Sequence, residues 1–342
     1  MTATTTRKPG RLAVAAVLAA SSLLVAGCSS APPAPTPDAA ASGPALSLDQ
    51  NTTVLESMNA AIAAATETLD PAQLAARVTG PALAVRTSQI EVAKVRGSAD
   101  LITELPTAYQ QIILPTTETW PRTSFAITEP TDQLQPQRML ALVQETPRDP
   151  YKLWGWVQLR PGIRMPAFAD AKLGSEILAP DDTSLKVTPQ DVVAQYADLL
   201  TTGDGSAFAG TFEPSTEDPF RALLKTVAET QAALLAGDRV NGTYTFSATP
   251  RPDTAIKTVR TADGGAVVMA ALDGTEVMEA MAGARITPGT NTALALLQGQ
   301  GESNRVTGGF SDMIALYVPP AGSDQPVILV GYSHVQTSAS LG

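Results

Sequence analysis

The first strong pattern of apolar positions lies in residues 52–70, TTVLESMNAAIAAATETLD. Apolar side chains recur there every three or four residues, which predicts one buried face of a helix. These side chains are Leu55, Met58, Ile62, Ala65 and Leu69. Thr53 and Glu56 have the spacing of a capping box, so we expect the helix to begin at Thr53. A helical turn and a second helix follow in residues 71–97.

Three strand-like runs complete the first half of the chain. Their sequences are RTSFAIT at 122–128, RMLALVQ at 138–144 and YKLWGWVQL at 151–159. In the first run, Phe125 and Ile127 fall on one face, which is the period-two pattern of a strand. We therefore expect two helices and then three strands in this half.

The same order of elements occurs again from residue 188. In TPQDVVAQYADLLTTGD, Thr188 is a good N-cap, Pro189 suits the first helical position and Gly203 suits the end. The expected buried stripe is Val192, Tyr196, Leu199 and Leu200. A second helix is predicted in DPFRALLKTVAETQAALLAG. The strands predicted after it are NGTYTFSAT, IKTVRT, GAVVMAALDG, DMIALYV and PVILVGYSHVQTSA.

Helices followed by strands, twice in succession, indicate an α+β fold with antiparallel sheets. Repeated alternation of single strands and helices is missing from the pattern, which argues against a Rossmann fold or a barrel. We place one helix-then-sheet module at residues 49–178 and a second at residues 179–342. The segment APDDTSLKVTP marks the boundary between them.

The order of elements resembles the NTF2-like and cystatin-like cone. The closest stretches of the two halves are LDPAQLAARVTGPALAVRT and GDGSAFAGTFEPSTEDPFRALLKT. The resemblance implies that helices pack across a curved sheet in each module, and that a ligand binds on the concave face of a sheet.

The N-terminus has the pattern of an export signal. Arg7, Lys8 and Arg11 precede LAVAAVLAASSLLVA, an uncharged apolar run that ends in small residues. The alternative is a membrane-spanning anchor, but spanning needs roughly 20 apolar residues and this run is shorter. We therefore expect residues 1–27 to be a signal peptide.

The only cysteine of the chain, Cys28, directly follows this run. The segment Leu24-Val25-Ala26-Gly27-Cys28 resembles the lipobox of bacterial lipoproteins. The resemblance implies that the thiol of Cys28 receives a diacylglyceryl group, with acyl chains such as palmitate, and becomes the new N-terminus. The alternative is a buried cysteine in a core, but no predicted element surrounds Cys28.

A spacer is expected between the acylated cysteine and the body, over residues 28–48. Residues 29–47 hold five prolines among Ala, Ser and Gly, with no apolar period. Such a segment cannot bury enough surface to offset ordering, so we expect a flexible tether of extended chain.

Composition and charge exclude several partners and sites. Net charge is −10, and removal of Arg7, Lys8 and Arg11 with the leader would make it −13. An acidic body repels phosphate backbones, so we expect no nucleic-acid partner. One cysteine and one histidine exclude a disulfide and metal sites built from several thiolates or imidazoles, and we expect no metal and no cofactor.

Three places in the second half and one in the first invite a chemical interpretation. His334, in GYSHVQ, is either a general base with a carboxylate behind it or a hydrogen-bonded strand residue. Trp154 and Trp156 either line a pocket that stacks a ligand or close the core where a helix meets the sheet. GDGS at 203–206 and DGTE at 273–276 resemble pieces of calcium loops but are expected to be turns.

These patterns predict a lipid-anchored protein on the extracytoplasmic face of the cell membrane. The chain as a whole resembles actinobacterial lipoproteins, a resemblance that implies no activity. We expect a non-catalytic role, in which the body binds a small ligand or an envelope protein, and we assign no catalytic residue. One alternative is an envelope-associated enzyme with a pocket in an NTF2-like cone. A transporter's solute receptor is the other, and it would need the βα units that the pattern lacks.

Replacing Cys28 with Ser tests the anchor. We expect Cys28→Ser to abolish membrane retention and to leave the body folded, because the thiol takes part in no packing. Membrane fractionation after a high-salt wash measures the first effect, and circular dichroism measures the second. A variant that stays with the membranes after the wash would contradict the prediction.

Overall fold

Four long helices and an extended antiparallel sheet make up most of the computed structural model, which describes residues 43–130, 136–237, 240–252 and 255–342. The described residues from 43 onward form one compact unit. The predicted signal peptide, the lipobox with Cys28 and tether residues 29–42 lie outside the described residues. Within the described ranges, every helix is too short or too polar to cross a bilayer.

The helices and strands have the following bounds. The helices are Leu48–Thr68 (α1), Gly80–Arg96 (α2), Pro189–Thr202 (α3), Pro219–Leu235 (α4) and Asn291–Leu296 (α5). The strands of the first half are Tyr109–Ile113 (β1), Pro115–Thr116 (β2), Arg122–Thr128 (β3), Arg138–Gln144 (β4), Lys152–Leu159 (β5) and Ser175–Glu176 (β6). Those of the second half are Thr243–Pro250 (β7), Lys257–Arg260 (β8), Ala266–Glu279 (β9), Arg305–Val318 (β10) and Ile328–Leu341 (β11).

Helix α1 begins earlier than its predicted start at Thr53. Ser47 is the N-cap, and its hydroxyl and the side chain of Gln50 form the capping box. The hydroxyl of Thr53 instead donates to the carbonyl of Asp49 within the helix. Both segments have the capping-box spacing, but an earlier start gives more backbone groups a helical partner.

The last residues of the predicted tether are also ordered. Pro44 forms an isolated bridge with Thr116, and the amide of Ala45 donates to the carbonyl of Pro115 at 3.1 Å. At the end of the predicted tether, Pro44 and Ala45 therefore pair with β2, and Ser47 caps α1.

Helix α3 forms as its sequence predicts. The hydroxyl of Thr188 accepts a hydrogen bond from the amide of Asp191 at 3.2 Å, and Pro189 is the first helical residue. Gly203 ends the helix with a φ of 65°, a conformation that favours glycine. All four residues of the predicted apolar stripe are buried.

Strands of both halves lie in one sheet. Its order is β1-β3-β4-β5-β11-β10-β9-β7, with β8 also paired to β9, and a separate parallel pair joins β2 and β6. The two halves meet where β5 pairs with β11, through Leu159 opposite Gly331 and Gln158 opposite Tyr332. A Cβ at Gly331 would lie 2.5 Å from the carbonyl oxygen of Gln158, so the close approach requires glycine.

The α+β fold is confirmed, and the two long helices of each half precede its strands as predicted, but the short helix α5 lies between β9 and β10. The strands do not form one sheet for each half, because β5 and β11 each present an edge that the other completes. An unpaired strand edge exposes backbone donors and acceptors, and pairing the two edges satisfies both.

The shared strands contribute to two cores. Along β10, Met313, Ala315 and Tyr317 pack in the cluster that includes α1 and α2. The alternate residues Ile314 and Leu316 pack in the cluster that includes α3 and α4. Because successive side chains of a strand point to opposite faces, helices cover both faces of this part of the sheet.

Candidate ligand-binding site around His334

Polar and small residues interrupt the apolar pattern on the sheet face that carries α3 and α4. On β9 the buried Leu272 is followed, at every second position, by Gly274 and Glu276, and on β10 Ile314 is preceded by Asp312 and Phe310. Strand periodicity puts each of these sets on one face. The site therefore lies on a continuation of the second core.

His334 is the cross-strand partner of Asp312. The two residues are paired in the register of β10 and β11, and Nδ1 of His334 lies 2.6 Å from Oδ1 of Asp312. Asp312 is 0 % exposed, and burial raises the pKa of its carboxyl, against the opposing effect of the hydrogen bond to His334. The carboxylate fixes the orientation of the imidazole and leaves Nε2 as its second polar atom.

Glycine makes room for this carboxylate. A Cβ at Gly274 would lie 2.6 Å from Oδ2 of Asp312 and 3.1 Å from the ring of Phe246. Oδ2 is buried and has no hydrogen-bond partner among the described residues. A buried acceptor without a partner costs free energy, so the site keeps a polar group that packing alone does not require.

Aromatic rings hold the imidazole from two sides. His334 stacks on Phe310, with the ring centroids 4.2 Å apart and the planes 4° from parallel. Phe220 and Phe246 lie 5.3 Å and 6.0 Å from the imidazole centroid. These contacts leave the ring little rotational freedom.

Glu276 supplies a second carboxylate. The hydroxyl of Tyr244 donates to its Oε2 at 3.4 Å, and burial raises the pKa of Glu276, partly offset by the nearby His334. A Cβ at Gly308 would lie 2.6 Å from Oε1 of Glu276, so glycine again provides the space for the carboxylate.

A cavity of about 560 Å³ opens over these groups. His334, Glu276, Tyr244 and Phe310 all contribute to its wall. Its apolar wall includes Leu224, Val227, Leu235, Met278, Ala293 and Val306. An apolar cleft of this size with a few convergent polar groups is typical of a small-molecule site.

The three predicted site residues do not lie together in the structure. His334 lies in the cavity wall with a carboxylate behind it, and its hydrogen bond to Asp312 leaves both interpretations of the sequence pattern open. Trp154 and Trp156 are 3 % and 0 % exposed and belong to the first core. A Cβ at Gly80 of α2 would lie 3.0 Å from the Trp154 ring, so this indole closes the core where a helix meets the sheet.

Sequence reasoning missed Asp312, Glu276, Tyr244 and Phe310 as site residues. The expected turn at DGTE is wrong: residues 273–276 lie inside β9, because β7 and β10 pair with them on both sides. The expected turn at GDGS is confirmed, since residues 203–205 form a short 3₁₀ helix. The available signal was the continued alternation past Leu272, which places a glycine and an acid where apolar residues were due.

The donor set does not indicate a metal site. Across the described ranges, no three His, Cys, Asp or Glu side chains are grouped so that they could hold an ion. What the arrangement offers is an oriented imidazole, a half-buried carboxylate and a tyrosine hydroxyl at one end of an apolar cavity. These groups can accept hydrogen bonds from a ligand or move a proton.

Fold and site together define an α+β protein with a ligand-sized cavity between helices and one face of an antiparallel sheet. The chain belongs to the family of a domain of unknown function, DUF8094, whose model matches residues 42–340. The match covers both halves of the chain and every residue of the His334 site. No curated protein and no solved structure matches the chain.

The pH dependence of stability tests the burial of Asp312. Burial raises the pKa of the Asp312 carboxyl in the folded state above its value in the unfolded state. The folded state is therefore favoured while this carboxyl is protonated, and that stability is lost as the pH rises through the folded pKa. The side chain that Asp312→Asn introduces is uncharged at every pH, so the variant does not lose this stability. We expect the variant to melt at a higher temperature than the wild type at pH 7, and the difference to shrink as the pH falls towards the ordinary value of 3.8.

Thermal unfolding followed by circular dichroism from pH 3 to pH 8 measures this difference. Asp181→Asn, at an exposed position, is the matched control and should give the same small difference at every pH. A wild type that gains stability over Asp312→Asn as the pH rises would contradict the assignment.

Proposed function

We propose that this protein is a lipid-anchored component of the cell envelope whose body binds a small amphipathic ligand in the His334 cavity. The observation that carries the binding role is the convergence of Glu276, Tyr244 and the His334–Asp312 pair on one end of an apolar cavity. The apolar part of the ligand would contact α4 and α5, and a hydrogen-bonding group would face Glu276.

The shape of the site favours a small ligand over a protein partner. A protein-docking surface is broad and exposed, with an apolar centre. The polar groups here lie in a concave wall, and Glu276 and His334 are only partly exposed. Partial desolvation strengthens a hydrogen bond to a bound molecule.

The proposed location rests on the N-terminal sequence. Residues 24–28 match a lipobox in composition and position, and the family match begins at residue 42, after the predicted leader. An acyl chain contributes about 0.8 kcal/mol for each buried methylene, so stable anchoring takes more than one chain. The diacylglyceryl group implied by the lipobox supplies two.

We also propose that each half is an NTF2-like module and that the two modules share one sheet. The support is the repeated order of two helices followed by antiparallel strands. A cavity between α4 and the sheet of the second half also agrees with the site expected on the concave face of such a module.

Filling the cavity tests the binding role. Val227 lines the cavity from α4, so Val227→Trp should occupy the ligand's volume. We expect the wild-type body to increase the fluorescence of the neutral apolar probe N-phenyl-1-naphthylamine, and Val227→Trp to lose most of that increase. The titration uses the full chain with Cys28→Ser, which removes the acylation site.

Thr226→Trp is the matched control. Thr226 is the neighbouring residue on α4 but is exposed and does not line the cavity. The control should retain the wild-type response. Equal responses from all three proteins would mean that the probe binds elsewhere, and no response from the wild type would reject a ligand cavity.

An enzyme is the second candidate, favoured by the 2.6 Å contact between His334 and Asp312. A carboxylate that orients an imidazole beside a cavity is the arrangement of a general base and its supporting group. Such a base would take a proton from a bound substrate through Nε2.

Comparing the molecules that co-purify with two forms of the protein separates the candidates. His334→Gln keeps a polar side chain of similar reach but removes the base. If the protein is an enzyme, mass spectrometry of extracted small molecules should find an unconverted compound only in His334→Gln. The same compound in both forms would reject catalysis by His334.

A further inference from the structure

A buried arginine lies far from the His334 site in sequence, on α2. Arg86 is 2 % exposed, and burial, together with the nearby charge of Arg138, lowers its pKa from 12.5 to about 10. Buried arginines are normally paired with carboxylates. Within the described part of the chain, Arg86 takes part in no salt bridge.

Two donors of this guanidinium lack acceptors. Nε and Nη2 of Arg86 are buried and have no hydrogen-bond partner among the residues that the structure describes. The side chain contacts an aromatic ring instead, with Cζ 5.4 Å from the centroid of Trp156. A cation–π contact compensates part of the lost hydration, but it gives neither nitrogen a hydrogen-bond acceptor.

Arg86 also lines a cavity of about 520 Å³. Helix α1 contributes Asn59, Ile62 and Thr66 to its wall, and the segment after α2 contributes Ile102, Thr103 and Leu105. The wall therefore combines apolar side chains with hydroxyl and amide groups.

The acidic residues at this cavity do not satisfy the two nitrogens. Glu67 and Glu104 line the cavity but are both exposed. Arg138 lies nearby, and its Nε donates to the backbone carbonyl of Glu104 at 2.9 Å. The charge of Arg138 acts on Arg86, although Arg138 itself does not line this cavity.

A purely structural role would not call for an arginine here. Replacing a buried charge with an apolar side chain of similar volume often leaves stability unchanged or increases it. A buried charge with unsatisfied donors is typical of a binding site, because hydrogen bonds to the bound ligand offset the free-energy cost of burying the charge.

We propose that this cavity binds the carboxylate of a small amphipathic molecule, and that the buried guanidinium of Arg86 turns towards the cavity so that Nε and Nη2, which have no acceptor in the empty protein, donate hydrogen bonds to it. These two nitrogens lie along one edge of the guanidinium and match the two oxygens of a carboxylate. The aliphatic part of the ligand lies against Ile62, Ile102 and Leu105. The site is separate from the His334 cavity and does not rest on the function proposed for it.

Decanoate is the probe, added to the full chain with Cys28→Ser. We expect saturable binding by calorimetry and a change in tryptophan fluorescence, because Trp156 contacts Arg86. Arg86→Met should weaken decanoate binding at least roughly tenfold, as expected for the loss of charge-assisted hydrogen bonds. The same variant should melt no lower than the wild type without ligand.

Two further variants keep the test decisive. Arg96→Met makes the same change at the end of the same helix, where the arginine pairs with the exposed Asp100, and should leave decanoate binding unchanged. Arg86→Lys keeps the charge but loses the paired donors, so it should bind more weakly than the wild type. Wild-type affinity in Arg86→Lys would overturn the two-donor contact.

The choice of ligands separates the possible sources of binding. Decanol lacks the charge and should bind at least roughly tenfold more weakly than decanoate. Decanol that binds as well as decanoate would overturn the role of the anion. Inorganic phosphate that binds in an Arg86-dependent way while decanoate does not would overturn the carboxylate class. A less stable Arg86→Met, with no decanoate binding to the wild type, would make Arg86 a structural residue.

Discussion

The pairing of β5 with β11 is the contact on which the rest of the structure depends. It joins strands from the two halves into one sheet, and it requires a glycine at position 331, where the backbone of Gln158 approaches too closely for a side chain. Since β10 and β9 follow β11 in the sheet, their two faces contribute to both cores. The packing of α1 and α2 is thereby coupled to that of α3 and α4 through shared strands. Backbone pairing and apolar burial both stabilise the unit formed by the described residues from 43 onward.

Both candidate sites keep polar groups where apolar ones would pack more favourably. Asp312 is buried with one oxygen unpartnered, and Arg86 is buried with two nitrogens unpartnered. In each case a cavity lies beside the polar group or its direct partner. A buried donor or acceptor without a partner costs free energy in the empty protein. The two sites differ in charge: one end of the His334 cavity holds a carboxylate and an imidazole, whereas the Arg86 cavity holds a guanidinium.

Local patterns predicted elements well where one strong signal acted alone. Thr188, Pro189 and Gly203 fixed both ends of α3, and the strand-like runs at residues 122–128 and 138–144 matched β3 and β4. Competing signals gave errors. Near the start of α1, both Ser47 with Gln50 and Thr53 with Glu56 have the capping-box spacing, and the first pair caps the helix. DGTE has the composition of a turn, but pairing with β7 and β10 keeps it in a strand. Strand β1 and helix α5 were not predicted, because each is short and depends on its neighbours.

The sequence by itself determined the α+β class, the order of the elements and the prediction of a leader with an attachment cysteine, because these follow from spacing along the chain. It also singled out His334. Only the tertiary structure decided that both halves share a sheet, that Asp312 supports His334 and that Trp154 and Trp156 are core residues. The physical reason is that strand neighbours are chosen by the free energy of the whole assembled sheet. Asp312 and His334 are 22 residues apart in the chain, and cross-strand register alone brings them into contact.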